Sequence, residues 1–148
     1  MRKLYWVLFM LAGLGLPGTL AAQDWGDLDG LLAQNLAPTQ EVVAGYWLPD
    51  SPDPGAAVTA VGIVYPYIEG SAGNTGIVVG LFGRADQGFR LERIVEGIFG
   101  LSPGAPVFYP DRIELTTATL GPDDARCCPS QESRWSIDRA TGVVTRLD

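Results

Sequence analysis

The chain has 148 residues, of which 47% are hydrophobic and 18% are charged, and its 17 acidic and 10 basic residues give a formal net charge of −7. This length fits one domain, and the apolar content excludes disorder for most of the chain. The acidity argues against partners that attract clustered Lys and Arg, namely nucleic acid and anionic membrane surfaces, and the absence of histidine excludes Ser-His-Asp and Cys-His catalysis and removes the commonest zinc ligand.

The N-terminus has the pattern of a secretory signal peptide, which we predict over residues 1–22. Two basic residues, Arg2 and Lys3, precede an uncharged apolar run over 4–16, and small residues follow that suit cleavage after position 21 or after Ala22. The alternative is an uncleaved membrane anchor, since a spanning helix needs about 20 apolar residues. No cysteine lies near the cleavage region, which argues against a lipoprotein. We therefore expect a periplasmic or secreted protein.

The predicted mature chain, residues 23–148, is more acidic than the whole chain. Loss of Arg2 and Lys3 leaves eight basic residues, all arginine, against 17 acidic ones, a formal charge of −9. A solvated acidic surface is the simplest interpretation, and no membrane contact is predicted beyond the signal segment. Export also bears on the two cysteines, because disulfides persist outside the cytoplasm.

A short helix is the first predicted element of this single β-rich domain. Leu28, Leu31, Leu32 and Leu36 lie at helical spacing, and Asp27 precedes them as an N-cap. The leucine spacing places the apolar side chains on one face, so we expect that face to pack on the rest of the domain.

Strands are predicted for most of the chain after this helix. They alternate polar and apolar residues or are apolar throughout, and turn residues separate them, including a Gly- and Pro-rich loop over 100–106. Five or six strands after residue 58, joined by short loops, predict an α+β domain: mostly antiparallel β-sheet with the short N-terminal helix packed on it. The predicted strands lie at 42–47, 61–67, 77–82, 89–98, 107–120, 134–138 and 143–147.

The segment 121–130 carries the most unusual chemistry, a pair of adjacent cysteines followed by proline and serine. It resembles the D-x-x-C-C-P-[ST] signature of an uncharacterised family of exported bacterial proteins, in which a short aromatic strand and a glycine turn follow. The resemblance covers about 58–147, and it implies a fold and an extracytoplasmic compartment without an established activity. The matching residues are Asp124, Cys127, Cys128, Pro129, Ser130, Trp135 and Gly142.

Adjacent cysteines in an oxidising compartment have several interpretations. We favour a vicinal disulfide that rigidifies the turn, helped by Pro129, whose ring fixes its own φ and biases Cys128 toward extended conformations. The alternatives are free thiols or thiols bonded to a partner protein, a soft-metal site such as Cu(I), and a catalytic redox pair. Two adjacent sulfurs make a poor metal cage without a third ligand, and thiol oxidoreductases use C-x-x-C spacing.

Other candidate residues have weaker signals. Arg126 would lower the pKa of a neighbouring Cys127 thiol, or would pair with the carboxylate of Asp123 or Asp124. The two aspartates follow Gly-Pro and are typical of a turn, with catalysis or calcium binding as alternatives. The loop over 70–76 lacks the Gly-Lys-Ser/Thr ending of a phosphate loop. Six aromatic residues are expected mainly in the core, with a ligand groove as the alternative: Trp25, Trp47, Tyr65, Tyr67, Tyr109 and Trp135.

The sequence therefore predicts an exported, non-enzymatic domain with a binding or structural role and with no catalytic, cofactor or metal site. Its partner, a protein or a small molecule, is not identified by the residues. The alternative is a thiol-dependent periplasmic protein that acts in redox chemistry or handles a soft metal. The predicted site consists of the disulfide or thiol pair and a supporting turn: Cys127 and Cys128, with Asp124, Arg126, Pro129 and Ser130.

Overall fold

The computed structural model of the chain describes residues 24–71 and 73–148. The predicted signal peptide, 1–22, lies outside the described residues. Within the two described ranges, no helix combines the length and the apolar character that a transmembrane span requires.

The described residues fold into one helix and eight strands, which form two four-stranded antiparallel sheets. The elements are α1 (Leu28–Leu36), β1 (Val42–Pro49), β2 (Thr59–Pro66), β3 (Val78–Ala85), β4 (Gly88–Val95), β5 (Leu101–Phe108), β6 (Arg112–Thr119), β7 (Gln131–Asp138) and β8 (Val144–Arg146). The first sheet has the order β1-β2-β3-β4 and the second has the order β5-β6-β7-β8. Every strand therefore pairs with its neighbours in the sequence, and only the β4–β5 connection passes from one sheet to the other.

The predicted fold class is confirmed: a short N-terminal helix packs on antiparallel sheet in a mostly β structure. The predicted loop over 100–106 is wrong, because most of it belongs to β5. This strand lies at a sheet edge and its pairing with β6 shifts register twice, with Ser102 and Ala105 at positive φ. An edge strand accepts prolines and bulges that a central strand would not. The predicted strand over 107–120 is divided by a turn after Phe108.

The two sheets pack face to face around the main core. Alternate residues of the central strands point into this layer, as the period of a strand requires. Trp135 and Ile137 of β7 face the same interior as the apolar side chains of β2, β3 and β6. The buried cluster consists of Val61, Ile63, Tyr65, Val79, Leu81, Val95, Ile98, Ile113, Leu115, Trp135 and Ile137.

The helix packs on the other face of the first sheet, over paired glycines. The predicted cap is present, since the Asp27 side chain accepts a hydrogen bond from the Gly30 N–H at 2.8 Å. Gly62 and Gly80 are cross-strand partners, and a Cβ atom on Gly62 would lie 2.6 Å from Leu32 Cδ2. The missing side chains therefore let the helix leucines reach the sheet, which leaves the opposite face of the sheet for the sandwich core.

Candidate functional site

The cysteine pair lies in the connection between β6 and β7, residues 120–130. The Sγ atoms of Cys127 and Cys128 lie at disulfide distance, and both residues are exposed. The two flanking strands pair in unbroken register, ending with Thr119 opposite Gln131. The cysteine turn, as we call residues 120–130, thus projects from the end of a regular hairpin.

Asp124 ties the two ends of the cysteine turn together. Its carboxylate accepts hydrogen bonds from the Gly121 N–H at 2.8 Å, from the Ser130 N–H at 2.6 Å and from the Ser130 hydroxyl at 2.8 Å. These bonds, first the one from Gly121, lower the pKa of Asp124. Because Gly121 follows β6 and Ser130 precedes β7, one carboxylate closes the loop that carries the cysteines.

Acid is expected to weaken this closure. A carboxyl group whose pKa is lower in the folded than in the unfolded chain stabilises the fold fully above the unfolded pKa, about 3.9, and the contribution is lost as the pH falls through the folded value. Asp124→Asn removes the titrating group, so the variant should unfold at lower urea than the wild type near neutral pH, and the difference should shrink in acid.

The neighbouring Asp123→Asn variant is the matched control for this pH profile. Asp123 is exposed and accepts no hydrogen bond among the described residues. Its replacement should shift the urea midpoint little at any pH. A constant gap between Asp124→Asn and the wild type across the acid range would contradict the closing role of Asp124.

Arg126 and Pro129 line a groove beside the cysteine turn and do not join the hydrogen bonds that close it. The predicted ion pair of Arg126 with Asp123 or Asp124 is wrong, because no ion pair among the described residues includes Arg126. The Asp124 carboxylate is already occupied by backbone and hydroxyl donors. Arg126 is exposed, and its guanidinium is therefore available to the groove.

The groove has a volume of about 700 Å³ and opens between the two sheets. Its walls are the loop over 73–77 from the first sheet, the segment 99–101 that leads into β5, and the cysteine turn with the adjacent ends of β6 and β8. This volume lies within the range of small-molecule sites, about 300–1,000 Å³. The cysteine turn thus forms one side of a ligand-sized space.

Large apolar side chains line the groove without being covered. Phe99, Leu101 and Leu120 are 50%, 41% and 49% exposed, and all three line it together with Ile77. Clustered apolar surface of this kind is characteristic of binding sites, whereas scattered exposed apolar residues are common everywhere.

Buried hydroxyl groups lie beneath this apolar wall. The Trp135 indole N–H donates to Thr117 Oγ1 at 2.8 Å, and the Thr117 hydroxyl donates to the Phe99 carbonyl at 2.7 Å. From the first sheet, the Tyr65 hydroxyl donates to the Gly100 carbonyl at 2.9 Å. Burial, with a smaller effect of a neighbouring tyrosine, raises the pKa of Tyr65 to about 12, so this hydroxyl stays protonated. These bonds fix the position of the segment that leads into β5.

A second pair of buried hydroxyl groups, those of Thr119 and Ser133, holds Arg146 at the groove. The hydroxyls of Thr119 and Ser133 lie 2.7 Å apart, and Arg146 Nη2 donates to Ser133 Oγ at 2.7 Å. The same nitrogen pairs with Asp148 Oδ2 at 3.0 Å. Its contacts with Ser133 and Asp148 therefore fix the orientation of Arg146, whose side chain is still 36% exposed.

Sequence reasoning missed these residues, although a signal for them exists. Thr117 and Thr119 continue the inward-facing positions of Ile113 and Leu115, and Ser133 continues those of the β7 core residues. Hydroxyls at core positions need hydrogen-bond partners. The inward-facing hydroxyls therefore indicate which end of β6 and β7 lies next to a polar site instead of the apolar core.

The prediction that the six aromatic residues lie in the core is confirmed for Tyr65 and Trp135, which are buried, and is wrong for Tyr67, which is 39% exposed. The other three, Trp25, Trp47 and Tyr109, are partly buried. Only Tyr65 among the six lines the groove. Trp135 is buried in the main core, and Trp47 contacts Phe82 with ring centroids 5.2 Å apart. The Trp47 indole N–H is buried without a hydrogen-bond partner among the described residues. The aromatic groove that we considered as the alternative is therefore not formed by this set.

No group of three or more cysteine or acidic side chains within 24–71 and 73–148 is arranged to hold a metal ion. Comparisons with protein-family models, with curated proteins and with solved structures found no match. The resemblance of the cysteine segment to an exported family therefore stays a prediction.

Proposed function

We propose that this protein is an exported, non-enzymatic binding domain, in which the groove between the sheets takes a small molecule and the vicinal disulfide is a structural clip. The observation that carries the proposal is the lining of the groove, where Cys127 and Pro129 border the same ligand-sized space as the loop over 73–77. Pockets of this size with apolar walls and a few convergent polar groups are the usual small-molecule sites.

The clip interpretation is supported by the way the cysteine turn is restrained. Asp124 closes its base, and the Cys128 N–H donates to the Ala125 carbonyl at 2.9 Å in its interior. A bond between adjacent sulfurs closes a small ring that removes side-chain rotation from both cysteines. Restraint at the base and at the cysteines keeps the wall of the groove in place before a ligand arrives, which lowers the entropic cost of binding.

A thiol-dependent role is the second candidate, because both cysteines are exposed and Arg126 would stabilise a thiolate once the pair is reduced. Intact mass after alkylation under denaturing, non-reducing conditions separates the two candidates. The clip requires that no alkyl group is added until the protein is reduced. Alkylation of unreduced protein would favour the thiol-dependent role. A redox pair that is oxidised in the purified protein would also resist alkylation, so the clip further requires that reduction lowers the urea midpoint.

Ligand binding itself is tested by following the backbone amide resonances of the purified protein during addition of small organic fragments. The set contains anionic, neutral and cationic compounds, including decanoate, 1-decanol and decylamine. We expect shifts concentrated in residues 73–77, 99–101 and 118–131, with the resonances of α1 unchanged as the internal control. A set in which no fragment shifts the groove resonances would overturn the proposed function.

A further inference from the structure

We propose that the ligand of the groove is an organic anion with an apolar body, a carboxylate attached to a hydrocarbon chain. This inference rests on the proposed binding function and adds the chemical class of the ligand. It follows from three features of the lining: its charge, the free donor on Arg146 and the exposed apolar wall.

The charge of the groove is opposite to that of the chain. Arg126 and Arg146 line it, and none of its described lining residues is aspartate or glutamate, although the chain carries 17 acidic and only 10 basic residues. An acidic protein that gathers two guanidinium groups in one groove attracts anions there and repels them elsewhere. Guanidinium groups also match the geometry of a carboxylate, which they can bind with two parallel hydrogen bonds.

Arg146 already shows how a carboxylate would be held. Its Nε and Nη2 atoms face the Asp148 carboxylate, and Nη2 also contacts Ser133. Nη1 has no hydrogen-bond partner among the described residues, although a guanidinium has five N–H donors. The bond to the buried Ser133 fixes the orientation of Arg146, so a ligand carboxylate would meet an oriented donor. Asp148 would compete with the ligand for the same charge.

The apolar wall of the groove favours a ligand in which the carboxylate is attached to a hydrocarbon chain. Phe99, Leu101 and Leu120 line the groove and are 50%, 41% and 49% exposed, and covering apolar surface is favourable by about 25 cal/mol per Å². A small inorganic anion would leave this wall in water. An anion with a hydrocarbon chain satisfies the arginines and covers the wall at once.

Calorimetric titration with three probes of the same chain length tests the inference: decanoate, 1-decanol and decylamine. We expect decanoate to bind tightest and its Kd to rise with salt, because screening weakens the attraction of exposed charges. Arg146→Gln should raise the Kd of decanoate about tenfold, because Arg146 is oriented by its bond to Ser133. Arg126→Gln should raise it about threefold, because no hydrogen bond among the described residues orients that side chain. The Kd of 1-decanol should stay unchanged in both variants.

Two further variants complete the experiment. Arg90→Gln removes an exposed arginine outside the groove and should leave the Kd of decanoate unchanged. Asp148→Asn retains Arg146 and removes its competing carboxylate, so it should tighten decanoate binding. This arm keeps the inference testable if loss of the Ser133 contact unfolds Arg146→Gln.

The outcomes separate this inference from the proposed function. If 1-decanol or decylamine binds as tightly as decanoate, or if Asp148→Asn weakens decanoate binding, the groove binds ligands but is not selective for anions, and this inference alone falls. If fragments shift the groove resonances and decanoate does not bind, the same conclusion follows. If none of the three probes binds and no fragment of the wider set shifts the groove resonances, both proposals fall.

Discussion

Replacement of Trp135 by alanine is expected to lower the free energy of unfolding by about 3–5 kcal/mol. The side chain is 2% exposed in the main core, and its ring lies edge-on to Phe99 with centroids 4.7 Å apart. Its indole N–H also donates to Thr117. Removal leaves a cavity under the groove and takes a partner from a buried hydroxyl, and both effects are destabilising. Since small domains are stable by about 5–15 kcal/mol, this loss is a large fraction of the free energy of unfolding.

Urea denaturation measures this loss, and Trp25→Ala is the matched control. Trp25 is only partly buried and packs near Trp47 and Phe89 on the helix side of the first sheet, away from the main core. Trp25→Ala should lower the free energy of unfolding clearly less than Trp135→Ala does. Trp135→Phe keeps most of the ring volume and isolates the contribution of the hydrogen bond to Thr117. Equal losses for the two tryptophans would contradict the burial of Trp135 in the main core.

The helix and the regular hairpins could be predicted because their signals are local. Asp27 lies where an N-cap is needed before leucines at helical spacing. The turn that the sequence indicates at 86–88 joins β3 to β4, and Gly88 is already the first residue of β4. Each of these patterns is read within about ten residues. The chain order of both sheets then follows from antiparallel pairing of neighbouring strands.

The division into two sheets could not be predicted, because it depends on contacts between distant residues. Strand β5 has the composition of a loop, and only its pairing with β6 makes it a strand. The Tyr65 hydroxyl reaches Gly100 across the interface between the sheets, which no local pattern indicates. Without the second sheet there is no groove, so the chemistry visible in the sequence was confined to the cysteine turn.

The residues that line the groove and the hydroxyl groups beneath it differ in how readily a sequence can indicate them. The cysteine pair is visible at once because adjacent cysteines are unusual, and Thr117 and Ser133 are visible from their inward-facing positions. The sequence shows Arg126 beside the cysteines, but it does not show where the side chain lies. The ion pair with a neighbouring aspartate that the sequence suggested does not form. Arg146 gave no signal, since its role depends on the buried hydroxyl of Ser133 beneath it.

Gly100→Ala is expected to lower the free energy of unfolding by about 2–4 kcal/mol, from backbone strain and from crowding together. Gly100 has a φ of +110°, a conformation that residues with a Cβ atom rarely adopt. A Cβ atom there would lie 2.6 Å from the Ala118 carbonyl oxygen and 2.7 Å from Thr117 Oγ1. The first contact is with backbone, which cannot turn aside as a side chain can.

Gly104→Ala provides the control within the next strand, because a Cβ atom there would have no neighbour within 4 Å and its φ is not positive. Urea denaturation should find this variant near the wild type and Gly100→Ala far below it. Gly100 also lines the groove, and its carbonyl accepts a hydrogen bond from the Tyr65 hydroxyl. The folded fraction of Gly100→Ala should therefore bind decanoate more weakly, whereas Gly104→Ala should bind it as the wild type does. If both alanine variants unfold near the wild-type urea midpoint, Gly100 does not approach Ala118 and Thr117 of β6 this closely, and the position of the groove wall is wrong. The stability and the binding measurement thus test the same contact, because the residue that lets the chain cross between the sheets also shapes the site between them.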